Sequence, residues 1–158
     1  MLRPMTPLFL EDLAVGQRFI SAAATMDAAA IKEFAAAWDP QPFHLDDDAA
    51  SRTLFGGLSA SGWHTAAMTM RLLVTSGLPL AGGIIGSGGE LRWEKPVRPG
   101  DTLHVECEVL EIVPSRSRPD RGMVRVSCLT RNQHGETVQS FNPRLVVSRR
   151  PAMEAADV

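Results

Sequence analysis

Residues 62–76 read Gly-Trp-His-Thr-Ala-Ala-Met-Thr-Met-Arg-Leu-Leu-Val-Thr-Ser, and Arg71 is their only charge. Ser59 or Ser61 can cap a helix here, and Gly77 and Pro79 supply a standard stop. Almost every face of such a helix is apolar or small, so it needs cover all round. It is expected at the centre of the molecule, with the rest of the chain built against it.

The segments downstream alternate with period two. Leu91 and Trp93 alternate with Arg92 and Glu94; Leu103, Val105, Cys107 and Val109 alternate with His104, Glu106 and Glu108; Val124, Val126 and Cys128 follow the same rule. The phase slips at Val109-Leu110, which predicts a bulge. Arg98-Pro99-Gly100-Asp101 predicts a turn, and Asn132-Gln133-His134-Gly135 a hairpin with glycine at a left-handed position. A last strand is expected over about 136–148, with Pro143 placing it at an edge or a bulge. Upstream, Val15-Gly16 predicts a turn before a strand at about 17–24. Thr25 or Asp27 then caps a helix whose stripe is Ile31, Phe34 and Trp38, with Ala35 between them. One central helix followed by long antiparallel strands is an α+β pattern, the sheet wrapping the helix.

The 158 residues fit one domain over 1–158, with 149–158 as a frayed tail. Hydrophobic residues make up 44%, enough for a core without staples. A net charge of −2 argues against nucleic acid as a partner. Cys107 and Cys128 fall in strands and read as small buried hydrophobes. The N-terminus lacks the apolar run of a signal peptide, and no stretch approaches the ~20 apolar residues of a membrane span. The expectation is a soluble, cytoplasmic protein with no membrane contact.

Chemistry concentrates between residues 38 and 64. Asp39 and His44 lie five residues apart across Pro40 and Pro42, and Phe55-Gly56-Gly57-Leu58-Ser59-Ala60-Ser61-Gly62 leads into the central helix. Each proline pushes the residue before it out of the helical region, so Asp39 should end the preceding helix and Gln41 should be extended. A stiff segment suits a paired acid and base. The first N–H groups of the following helix have no intrahelical partner and can receive negative charge. On the bare sequence, Asp39 fits a helix-ending turn before proline better than it fits catalysis. Asp46, Asp47 and Asp48 precede Ala49-Ala50 and are read as capping a short helix rather than as metal ligands. His64 is read as structural, His104 and His134 as solvated, and Trp38, Trp63 and Trp93 as core or tunnel wall.

Asp39-Pro40-Gln41-Pro42-Phe43-His44 followed by Ser61-Gly62 resembles the MaoC-like dehydratases, which include (R)-specific enoyl-CoA hydratases of hot-dog fold. The family pattern is Asp-x-Asn-Pro-x-His, then His/Ser-Gly at the head of the central helix. Glu11-Asp12-Leu13-Ala14-Val15-Gly16 and Pro96-Val97-Arg98-Pro99-Gly100-Asp101 are similar too. Gln41 stands where the family has Asn, and Ser61 where it often has His.

The resemblance implies reversible, syn addition of water to a 2-enoyl thioester by Asp39 and His44 acting as a unit. It implies Gly62 N–H as oxyanion donor, with Ser61 and Gln41 as further substrate contacts. Lys95, Arg98, Arg116 and Arg118 become candidate contacts to CoA phosphates. No metal or separate cofactor is expected; coenzyme A, or an acyl carrier, arrives as part of the substrate. A homodimer is expected, since it would hide open sheet edges. Two alternatives on the same fold are a thioesterase and a non-catalytic thioester-binding module. The thioesterase would place an acidic residue on the central helix, and 62–76 has none.

Overall fold

A computed structural model describes residues 5–153. After a 3₁₀ turn at Leu10–Asp12 come β1 (Arg18–Ile20), β2 (Ala24–Met26), α1 (Ala28–Trp38), α2 (Pro42–Leu45) and α3 (Asp47–Ser51). The central helix α4 (Gly62–Leu72) follows, then β3 (Ile85–Trp93), β4 (Asp101–Pro114), β5 (Arg121–Arg131) and β6 (Thr137–Ser148). All pairings among these strands are antiparallel, in the order β1-β4-β5-β6-β3, with β2 pairing β4 farther along the same side as β1. The α+β class is as read from the periodicity.

Inward residues of the strands make the core: Leu103, Val105, Cys107 and Val109 on β4, Val124, Val126 and Cys128 on β5, and Val138, Leu145 and Val147 on β6. Ile31 and Ala35 of α1 and Leu72 of α4 join them. The bulge at Val109 is present: the β4–β5 register shifts between Val109 and Glu111. Gly135 has φ +74° in the 132–135 turn, as the hairpin requires.

Several expectations are corrected. The strand over 17–24 is two three-residue strands, interrupted where Ser21 Oγ bonds Val105 N–H and Ser76 Oγ bonds Ala22 N–H. The 62–76 helix is α-helical only to Leu72; Leu73–Gly77 form a π turn, closed by Leu78 N–H on Leu73 O at 2.8 Å. It is not covered all round: His64, Thr65, Thr69 and Leu72 face inward, while Trp63, Met70 and Val74 are exposed. Trp38 is 77% exposed and lines no core: it shares the helical face of Ile31 and Ala35 but is the last residue of α1, past the part of the helix that is buried. β6 is an interior strand, so of the two alternatives for Pro143 the edge fails and the bulge holds: it sits opposite Gly89, where the β3 ladder shifts register. Arg149 and Arg150 are held rather than frayed, by Asp120 O, Glu11 and Asp12; residues 154–158 lie outside the described residues.

Candidate active site

Asp39 closes α1, its N–H on Ala35 O at 2.9 Å. Pro42 opens α2, where its missing N–H costs nothing and its fixed φ fits. This single helical turn carries His44 back toward Asp39, leaving Nε2 3.3 Å from Asp39 Oδ2. The spacing of five works because a proline-started turn lies between the two side chains.

The surrounding hydrogen bonds fix both groups. His44 Nδ1–H donates to Ser59 O at 2.7 Å. With Nδ1 so engaged, Nε2 is the ring nitrogen turned toward Asp39. Asp39 Oδ2 accepts from Ser61 Oγ at 2.7 Å, and Oδ1 from Gln41 Nε2 at 2.7 Å. Burial alone pushes the Asp39 carboxyl up, but the Ser61 and Gln41 hydrogen bonds and nearby His44 together outweigh it and hold it below the usual range. Ser61 Oγ also accepts from Trp63 N–H at 3.2 Å, so it caps α4 while it holds the carboxylate. Ser61 and Gln41, expected at the substrate, both hydrogen-bond Asp39, and Gln41 also lines the cavity that Asp39 and His44 face.

Both side chains face a cavity of about 470 Å³, shared with Gly62, Trp63, Thr65, Trp93 and Lys95. Gly62 is the first residue of α4, so its N–H has no intrahelical acceptor. A Cβ there would come within 2.4–2.9 Å of three Trp93 ring atoms, so only glycine admits that ring. Trp63 packs edge-on against Trp93, with centroids 5.1 Å apart. Two tryptophans are therefore cavity wall.

The candidate cations separate. Lys95 is on the cavity and pairs with Glu136. Arg98 donates to Gly57 O, Leu58 O and Phe55 O, so its fork clamps the loop before α4 instead of standing free for phosphate. Arg116 and Arg118 lie between β4 and β5, at the far end of a strand on the order of 40 Å long from the Asp101 end beside the site. Within one chain they do not join the cavity. Asp46 caps α3 through Ala49 N–H, and Asp47 pairs with Lys32. His64 is buried, stacked on Phe34 at 4.6 Å, and Nδ1 has no partner.

The Ser59 carbonyl and Gln139 behind the wall were not identified from the sequence, which left Trp93 open between core and tunnel wall. Trp93 pairs with Gln139 across strands 46 residues apart. No short-range pattern announces such a pair.

The MaoC like domain family model matches residues 12–132. The chain is similar to the MaoC-like dehydratase of Rhodospirillum rubrum, with 66% identity and a TM-score of 0.90, covering 92% of this chain and 99% of that one. It is also similar to the R-hydratase PhaJ1 of Pseudomonas aeruginosa, with 30% identity and a TM-score of 0.76, covering 96% and 94%. The 3-hydroxybutyryl-CoA dehydratase of Methylorubrum extorquens is 36% identical over 120 residues, 75% of this chain and 74% of that one. With its antiparallel sheet packed on one helix, as in these hot-dog relatives, this chain belongs to the MaoC-like domain family.

Proposed function

We propose that this protein adds water reversibly to a 2-enoyl thioester, with Asp39 and His44 as its acid–base pair. The observation that carries the reading is the convergence of Asp39 Oδ2 and His44 Nε2, an acceptor when the ring is neutral, on one cavity. Two acceptors side by side can grip a water by both hydrogens and leave its oxygen lone pair free to attack C3. One water proton passes to the pair, one proton returns to C2, and the pair is restored. The thioester oxygen, negative on the way, is received by Gly62 N–H, a donor worth roughly 3–4 kcal/mol when well aimed. Lys95, the candidate cation that lines the cavity, would meet a CoA phosphate in place of its Glu136 partner.

The thioesterase alternative lacks its acid, since α4 from Gly62 to Leu72 contains no Asp or Glu. A homodimer is part of the proposal: the exposed apolar stripe of α4 and the open edge of β3 ask for cover. The facing thiols of Cys107 and Cys128 are free, which fits a reducing cytoplasm. No helix among the described residues is long and apolar enough to cross a membrane.

Hydration of crotonyl-CoA, followed as loss of the conjugated thioester's ultraviolet absorbance, tests the reaction. Asp39→Asn and His44→Ala should each lower kcat by roughly 10²–10⁴-fold. Turnover that survives both substitutions would sink the assignment of the pair.

A further inference from the structure

Gln139 is 1% exposed on an interior strand, where an apolar side chain would be ordinary. A buried amide is tolerated only with partners at both ends. Gln139 has them: Nε2 donates to Thr69 Oγ1 of α4 at 3.0 Å, and Oε1 accepts from Trp93 Nε1–H at 3.1 Å. Thr69 Oγ1 shares a further hydrogen bond with Thr130 Oγ1 at 2.7 Å. Trp93, Gln139 and Thr130 are direct partners across β3, β6 and β5, so they form one row on one face of the sheet. Thr69 ties that row to the central helix.

The free end of the row is the indole. Trp93 stands on the edge strand and is 48% exposed, so open space lies on one side of it. Its N–H is drawn inward to a buried acceptor, and its ring lies against Gly62. Gly62 is the candidate oxyanion donor, and both residues line the cavity of Asp39 and His44.

We propose that Trp93, pinned by Gln139, is the wall that limits acyl-chain length, making the protein selective for short acyl thioesters. This rests on the thioester-binding part of the function proposed above and not on turnover. Trp93 acts by excluding volume, and Gln139 is a positioning residue that acts through it. A few extra methylenes meet a ring that cannot swing aside while its N–H is held. Removing the ring opens the cavity; removing only the acceptor lets the ring move.

The test is calorimetric titration of butyryl-CoA and octanoyl-CoA into the intact protein, its Trp93→Ala and Gln139→Leu variants, and Trp93→Phe. Wild type should prefer butyryl-CoA. Trp93→Ala should move the ratio of the two dissociation constants toward octanoyl-CoA by about tenfold or more, the scale at which a pocket distinguishes methylenes. Gln139→Leu should move it the same way by a smaller factor. Trp93→Phe keeps a ring and deletes the N–H, so it should reproduce the Gln139→Leu shift even if that variant folds poorly. A purely structural row would change stability and leave the ratio alone. A ratio within about twofold of wild type in Trp93→Ala overturns the proposal, as does a wild type that binds neither thioester. Crotonyl-CoA turnover, measured in parallel, separates the two readings. A shifted ratio without turnover keeps the wall and sinks the hydratase; turnover with an unmoved ratio sinks the wall alone.

Discussion

The hydroxyl of Ser61 donates to Asp39 Oδ2 and accepts from Trp63 N–H, so one atom serves the helix and the carboxylate together. Removing it should show in two separate readouts. Ser61→Ala deletes a hydrogen bond that lowers the Asp39 pKa, so the acid limb of kcat/KM should move to higher pH. It also deletes the cap of α4, which should cost about 1 kcal/mol in a denaturant melt. An unmoved acid limb would mean that Gln41 and His44 hold the carboxylate without Ser61. At this scale, the local geometry of Asp39, His44, Ser61 and Gly62 was legible because prolines, glycine and helix capping act within a few residues, while their joint role came only from the family resemblance and stays a proposal. Arg98 was not: its composition suggested phosphate, while its three acceptors are carbonyls some 40 residues upstream in the chain. Gln139 is polar, and polarity alone does not say that an indole and a threonine wait for it inside.

Where α1 crosses α4, His64 stacks on Phe34, nearly parallel at 4°. Burial pushes its pKa below the ordinary 6.5, and the nearby Asp27 carboxylate only partly opposes that. The unfolded chain therefore binds more protons than the folded one just below pH 6.5. Stability from this group is present above that pH and is lost as the pH falls. Urea melts from about pH 7 to pH 5 should show the decline, and His64→Phe, which keeps the stacked ring, should flatten it. The carboxylates with lowered pKa, such as Glu106 and Glu136, lose their contributions only at lower pH. An equal decline in His64→Phe would remove His64 as the cause. Elements were legible wherever one period ran unbroken: β5 keeps period two along its length, and β4 keeps it up to the bulge at Val109. The predicted first strand failed because Ser21 takes hydrogen bonds that a continuous ladder would need, and α4 was read as wholly buried because its composition hides which side the sheet covers.

What covers the other side of α4 is a question for the whole molecule. Trp63, Met70 and Val74 follow one another at helical spacing and are 60%, 37% and 54% exposed. On β3, Ile85 and Trp93 are 55% and 48% exposed, and the outer edge of β3 pairs with no other strand among the described residues. A row of unpaired backbone groups beside apolar side chains invites another chain. A second copy supplies the same features in a self-complementary way, so one two-fold contact covers both. Sedimentation at micromolar concentration should therefore show a dimer. Val74→Glu or Met70→Glu would bury a carboxylate without a partner there. The dimer dissociation constant should rise at least tenfold, which corresponds to about 1.4 kcal/mol. Trp63 and Trp93 belong both to the exposed surface and to the wall of the Asp39–His44 cavity. Dissociation should then weaken thioester binding as well, and acyl-CoA affinity should fall on dilution in step with the dimer fraction. A monomeric wild type, or affinity that ignores dilution through the dimer transition, would separate the surface from the site.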